Sequence, residues 1–235
     1  SYDSGMTVVH IEEVAERVER ARQAQAVWRR YSLTQRVQRL RALWRELLAV
    51  KGRLLEVMHE ETGKPLPEIQ AMEISAVELI LKYFTGNAHR ILKDQAAWKP
   101  WILFNKRAYV RHLPRGVIGL IHPWNFPFLI PLGDSIPALL AGNAVVIKPS
   151  EWTTRTALFL EGVVKASGLF PEDLCSVIPG DGTVGAKVLD AVDMVLFTGS
   201  TRSGRIVAQA AAAQLKPAVM ELGGTADYLA RSVMN

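Results

Sequence analysis

The chain has 235 residues, 28 basic against 23 acidic side chains for a net charge of +5, 49% apolar residues and a single cysteine. That length holds one large or two small domains with a full core, and the balance of apolar and charged residues is that of an ordinary globular protein. One cysteine excludes an intrachain disulfide and a Cys/His metal cluster, and no apolar run reaches the roughly 20 residues that a bilayer span needs.

These exclusions, with no basic-then-apolar leader pattern at the amino terminus, give the expectation of a cytoplasmic chain with no metal and no membrane partner. The densest basic set, Arg17, Arg20, Arg22, Arg29, Arg30, Arg36, Arg39, Arg41 and Arg45, is interspersed with acidic residues at helical spacing. No aromatic-basic recognition module accompanies it, so it reads as a solvated helix face rather than a nucleic-acid surface.

In chain order, Ile11, Val14, Val18, Ala21 and Trp28 recur at the spacing of an amphipathic helix over about residues 11–30. Ser32-Leu33-Thr34-Gln35 has the form of a capping box and predicts one long helix through Leu40, Trp44, Leu47, Leu54 and Met58, ending at Thr62-Gly63-Lys64-Pro65. Another helix is expected from Glu68 to Arg90 on Ile69, Met72, Val77, Ile80, Leu81 and Phe84. Trp98, Trp101 and Phe104 suit a core or an interface better than a ligand site, and Ala108 to His112 alternates enough for a strand.

From Val117 the periodicity changes. Short apolar runs at Val117–Ile121, Ala144–Lys148, Leu174–Ile178, Met194–Thr198 and Ala218–Glu221 alternate with helical patterns near 132–141, 153–167, 183–191 and 201–215. This predicts an α/β fold: a Rossmann-like open parallel sheet with helices on both faces, preceded by an amino-terminal helical segment. The expected division is residues 1–107 for that segment and 108–235 for the sheet domain.

Four segments fall at the carboxyl ends of the predicted strands, where open α/β sheets bind ligands. In His122-Pro123-Trp124-Asn125-Phe126-Pro127, two prolines stiffen a loop whose Asn125 amide could serve an oxyanion, although the segment alone also fits a rigid aromatic turn. Lys148-Pro149-Ser150-Glu151 pairs a donor and an acceptor suited to vicinal hydroxyls, or forms a surface salt bridge. Pro179-Gly180-Asp181-Gly182 offers glycines against which a flat ring can lie, or a plain turn. Gly199 to Gly204 opens a helix in the manner of an anion cradle, and Glu221 reaches the same edge, without the spacing of a dinucleotide fingerprint or a Walker A loop.

Together, Pro-Trp-Asn-Phe-Pro, Leu-Leu-Ala-Gly-Asn-Ala-Val-Val-Ile-Lys-Pro-Ser-Glu, Phe-Thr-Gly-Ser-Thr and Glu-Leu-Gly-Gly, in this order and spacing, resemble the aldehyde dehydrogenase superfamily from the amino-terminal helices to Gly224. In that family a cysteine thiolate attacks an aldehyde, hydride passes to NAD(P)+ and water hydrolyses the thioester. The resemblance implies that Asn125 helps hold the oxyanion and that Glu221 is the general base. It implies that Lys148 and Glu151 hold the adenosine ribose, Gly180 and Gly182 lie at the adenine side, Ser200 and Trp124 touch the pyrophosphate, and Leu222 lies near the nicotinamide. Ile121, Ser150, Phe197 and Gly199 complete the implied cofactor contacts. Glu151 favours NAD over NADP, because a 2′-phosphate would meet its carboxylate; Lys148 softens that preference.

Cys175 precedes Glu221, whereas the family's nucleophile follows it, so Cys175 reads as a small core residue. After Gly224 the sequence departs from the family pattern at Thr225. The expectation is a chain truncated before the nucleophile, without the catalytic domain, binding NAD but inactive toward a small-molecule aldehyde by itself. The Ala108–His112 strand resembles part of an oligomerisation arm lacking its usual partner. Two other readings stand beside this one: a working enzyme, with a complementary chain or as an ester hydrolase using Ser200 or Glu221, and a non-catalytic protein that self-associates through apolar surface exposed by the truncation.

Overall fold

The computed structural model describes residues 11–223. Gly224, which closes the Glu-Leu-Gly-Gly motif, and the segment from Thr225 lie outside the described residues.

Five helices come first: α1 (Ile11–Trp28), α2 (Leu33–Ala49), α3 (Lys51–Thr62), the short α4 (Leu66–Ile69) and α5 (Ser75–Leu92), with a π-helical turn at Gln70–Ile74 joining the last two. The Ser32 capping box forms as expected, with Gln35 N donating to Ser32 Oγ and Ser32 N to the Gln35 side chain. The single long helix expected after it is broken at Val50, whose ψ of 14° leaves the helical ladder. The break lets α2 pack on α5 while α3 turns toward a helix further along the chain, a tertiary requirement that no local pattern announces. The helix expected from Glu68 is likewise interrupted, by the π turn.

A small antiparallel pair follows, β1 (Gln95–Ala96) with β2 (Tyr109–Val110). The strand expected at Ala108–His112 is therefore only two residues long, and its partner lies within this chain. Trp98, Trp101 and Phe104 beside it are 80–86% exposed, which removes the core half of their expected role.

The remainder alternates as the sequence predicts: β3 (Val117–Ile121), α6 (Leu129–Leu140), β4 (Ala144–Lys148), α7 (Thr154–Ser167), β5 (Cys175–Val177), α8 (Gly182–Ala191), β6 (Met194–Gly199), α9 (Thr201–Ala213) and β7 (Ala218–Leu222). The five strands β3 to β7 form one parallel sheet in the order β5-β4-β3-β6-β7. Right-handed crossovers put α6 and α7 on one face and α8 and α9 on the other. The strand order reverses at β3, which has β4 on one side and β6 on the other, so a crevice opens at the carboxyl ends there.

One apolar core runs from Val14 through Trp28, Leu40, Met58 and Ile69 into β3, β4 and β5, so the early helices and the sheet share it. Buried and part-buried polar contacts stitch the same boundary. Trp28 Nε1 donates to the Leu139 carbonyl, Gln25 to the Gly142 carbonyl, and Asp193 accepts from both Arg22 and the Val117 amide. A smaller cluster of Leu189, Val195 and Ala211 lies under β6.

Candidate functional site

The parallel register decides what meets at the carboxyl edge. Ile121 lies opposite both Lys148 and Phe197, Thr198 lies opposite Glu221, and Gly199 lies opposite Leu222. A cleft of about 480 Å³ opens above this row. Of the sequence-predicted residues, Ile121, Lys148, Ser150, Glu151, Gly182, Phe197, Gly199 and Ser200 line it.

Lys148 is buried at 6% exposure, its stem passing 3.8 Å from where a Cβ on Gly185 would sit. Its ammonium lies 3.6 Å from the half-exposed Glu151 carboxylate. Burial lowers the Lys148 pKa from its ordinary value, and the attraction of Glu151 opposes the shift. The pair therefore presents a donor and an acceptor together at the rim. Ser150 fixes Glu151 in place by accepting from Trp152 N at the start of a short 3-10 turn, Glu151–Thr153.

The amino ends of the four sheet helices differ in what they can still accept. A helix start carries free N–H groups and a partial positive charge, which attract an anion. At α6 that place is taken by Glu73, whose Oε2 accepts from Phe128 N at 2.9 Å and Leu129 N at 3.2 Å. At α7 it is taken by Glu61, which accepts from Arg155 N, Thr156 N and the Thr156 hydroxyl. At α8 it is taken by Asp181, which accepts from Thr183 N and Val184 N; the Thr183 hydroxyl bond, with those amides, holds its pKa below the usual carboxylate value. Only α9 is capped by a neutral group: Ser200 Oγ accepts from Ser203 N, and the first intrahelical bond runs from Gly204 N to the Ser200 carbonyl. The amides of Thr201 and Arg202 lie ahead of that bond, and no carboxylate among the described residues accepts from them. A helix start without a carboxylate can accept an anion such as a phosphate, whereas the other three are already filled by carboxylates.

Trp124, Asn125, Gly180, Glu221 and Leu222 lie outside the cleft lining. Gly180 has φ +156°, and a Cβ there would meet Val184 Cγ2 at 2.4 Å, so the turn into α8 requires glycine. Trp124 and Asn125 are exposed on the loop after β3; the Asn125 backbone carbonyl accepts from Lys64, and its side chain makes no hydrogen bond among the described residues. Glu221 is exposed at the end of β7. Leu222 packs against α9, where a Cβ on Gly204 would meet its Cδ2 at 2.3 Å.

Sequence reasoning misses the apolar wall formed by Leu189 on α8 and by Ile206, Val207 and Ala210 on α9. Helical spacing assigns such residues to a core; the available signal is that each stripe starts directly after a strand bearing a site residue. His122 enters the sequence reading only as part of its loop. It is buried, its Nε2 lies 3.1 Å from Asp134 Oδ2, and its Nδ1 has no partner among the described residues. Glu73 escapes that reading too, although its spacing from Ile69 and Val77, four residues each way, sets a carboxylate on a buried stripe.

Cys175 is buried within β5, and desolvation pushes its thiol up to about 12, so it is no nucleophile at neutral pH. Ser200 spends its hydroxyl on the α9 cap and on Ser203, with no histidine bonded to it among the described residues. No group of three or more metal-ligating side chains and no helix long and apolar enough to cross a membrane occurs among the described residues.

The sequence profile of the aldehyde dehydrogenase family matches residues 6–231. The chain is 37% identical over 213 residues to 4,4'-diapolycopene aldehyde oxidase of Methylomonas sp, covering 90% of this chain and 40% of that protein. It is 34% identical over 234 residues to betaine aldehyde dehydrogenase of Vibrio vulnificus, covering 96% and 47%. Among solved structures, the NAD+ complex of an aldehyde dehydrogenase from Bacillus cereus superposes with a TM-score of 0.86 at 29% identity, over 93% of this chain and 44% of that one. The chain thus spans less than half the length of these relatives. By sequence and by fold, it belongs to the aldehyde dehydrogenase family.

Proposed function

We propose that this chain supplies the NAD-binding part of an enzyme that oxidises an aldehyde to a carboxylic acid, with residues 108–235 as the cofactor domain and the earlier helices packed on it. The observation that carries the reading is the α9 start: a helix capped by the neutral Ser200, which lines the same cleft as the Lys148–Glu151 pair.

Bound NAD+ would supply the hydride acceptor. Lys148 donates to, and Glu151 accepts from, vicinal ribose hydroxyls, while the Thr201 and Arg202 amides hold the pyrophosphate beside Ser200, with Trp124 closing over it. Ile121, Ser150, Phe197 and Gly199 line the path between, Gly180 and Gly182 flank the adenine side, and Leu222 backs the nicotinamide. The Glu151 carboxylate favours NAD+ over NADP+.

Asn125 presents its free carboxamide as an oxyanion donor, and Glu221 accepts the proton of a thiol or of the deacylating water. The 235-residue chain alone oxidises no aldehyde, because its one cysteine is Cys175. Self-association through the exposed Trp98, Trp101 and Phe104 belongs to the same reading.

Titration calorimetry tests it: NAD+ binds the wild-type chain, NADP+ binds more weakly, and Glu151→Ala narrows the difference. A chain that ignores both nucleotides, or that turns over aldehyde with NAD+ unaided, refutes the proposal.

A further inference from the structure

Between the early helices and the loop of Asn125 lies a charged cluster that the cofactor reading does not use. Glu73 is fully buried, at 0% exposure. An isolated carboxylate so placed would be strongly disfavoured, and here both of its oxygens are engaged. Oε2 takes the Phe128 and Leu129 amides at the start of α6, and Oε1 takes Lys64 Nζ at 3.2 Å.

Lys64 is itself only 15% exposed in its side chain. Its ammonium also donates to the Asn125 carbonyl and sits 4.1 Å from the centre of the Phe126 ring. The backbone on both sides is built to aim these two groups. Lys64 follows Gly63, which ends α3 at φ +69°, and its turn is held by Thr62 Oγ1 accepting from Lys64 N and by His59 Nδ1 at 2.7 Å from the Lys64 carbonyl. Glu73 lies in the π turn, a rare feature of helices that occurs frequently at functional sites.

Asn125 explains the convergence. Its carboxamide is exposed and has no partner among the described residues, so its backbone sets the place from which it can reach and its own rotamers set its direction. Pro123 and Pro127 fix φ two residues to either side. Lys64 restrains the peptide between Asn125 and Phe126 by holding its carbonyl and covering the next ring, and so fixes the Cα from which the carboxamide extends.

Resting on the oxyanion role given to Asn125 above, we infer that Lys64 and Glu73 are positioning residues. The buried carboxylate anchors the ammonium, the ammonium holds the 125–126 peptide, and that hold keeps the Asn125 Cα, and with it the reach of the amide, in one place. Helix capping alone would need Glu73 but not a lysine bonded to the Asn125 carbonyl.

The test reads the Asn125 side-chain amide pair by NMR in the labelled 235-residue chain. Lys64→Met moves that pair and speeds hydrogen exchange at Phe128 and Leu129 by about tenfold, while the Gly199 to Thr201 amides stay in place. Lys64→Arg, which can still donate to both oxygens, returns the pair toward its wild-type position. An Asn125 pair unmoved in Lys64→Met, even with faster exchange at α6, leaves only a cap and overturns the inference.

Should Lys64→Met fail to fold, Glu73→Gln decides instead. Its amide oxygen still accepts from Phe128 and Leu129 but no longer anchors the ammonium, so the Asn125 pair moves while those two amides remain protected; an unmoved pair again overturns it. These readouts need neither an aldehyde nor a nucleophilic cysteine, so they judge the clamp whether or not Asn125 holds an oxyanion.

Discussion

The two halves of the sheet are finished in opposite ways. On the β4 and β5 side, α6 and α7 are capped by carboxylates that arrive from 55 and 95 residues away, Glu73 and Glu61, and all five residues of β4 are buried beneath the outer helices. On the opposite face, α8, which lies against β3 and β4, and α9, which lies against β6 and β7, are capped by the residue just before each helix, and four of the five residues of β7 are exposed. The first half is anchored by tertiary contacts and has no unfilled helix start. The second is locally complete and keeps one neutral start, at α9, for an anion.

The largest effect expected from breaking this contrast is at Glu73. Glu73→Ala strands Lys64 and two helix amides in a buried place and should cost about 3–5 kcal/mol in denaturant unfolding. A loss no greater than that of an ordinary cap would mean that the two halves are not anchored differently.

Next comes the covered edge strand. The Cys175 thiol, held up to about 12 by burial, binds its proton more tightly folded than unfolded. Its contribution is fully present below the unfolded value of about 8.5 and is lost as pH rises toward the folded one, at up to about 1.4 kcal/mol per pH unit. Stability measured at pH 8 and pH 10 should show that slope in the wild type, and Cys175→Ala should remove it. Lys148, whose pKa is lowered, acts in the reverse sense, its folded form gaining relative stability with rising pH, so the comparison between the two chains is what isolates the thiol.

The smallest effects separate the caps themselves. Glu61→Ala should lower stability by about 1–2 kcal/mol with no change in NAD+ affinity, whereas Ser200→Ala should cost about 1 kcal/mol and also weaken NAD+ binding measured by calorimetry. If both variants left nucleotide binding intact, the α9 start would not be the anion place.

Much of the architecture is legible in the order of residues. The five parallel strands, their crossover helices and the Ser32 capping box follow from periods of two and of 3.6 and from local side-chain to backbone bonds. The residues along the cleft floor, from Ile121 to Lys148 and Gly199, can be placed because each ends a strand. The break at Val50 is not legible, because it answers to the surfaces on which α2 and α3 pack. The exposure of Trp98, Trp101 and Phe104 is not legible either, because composition does not say which apolar residues find a cover.

By itself, then, the sequence determined the parallel α/β order, the edge of the sheet on which chemistry would gather, and the family to which these motifs are similar. The first two follow from interactions between residues close along the chain, or from the strict alternation that a strand imposes; the third rests on the likeness of the motifs in their order and spacing. Only the tertiary structure decided which helix start remains open to an anion, that Glu73 is buried rather than solvated, and that Lys64 reaches the loop of Asn125. Each of these depends on groups 55 to 95 residues apart, or 61 for Lys64 and Asn125, and on whether water or another part of the chain satisfies a charge. No local pattern encodes that balance, because desolvation is set by everything packed around the group.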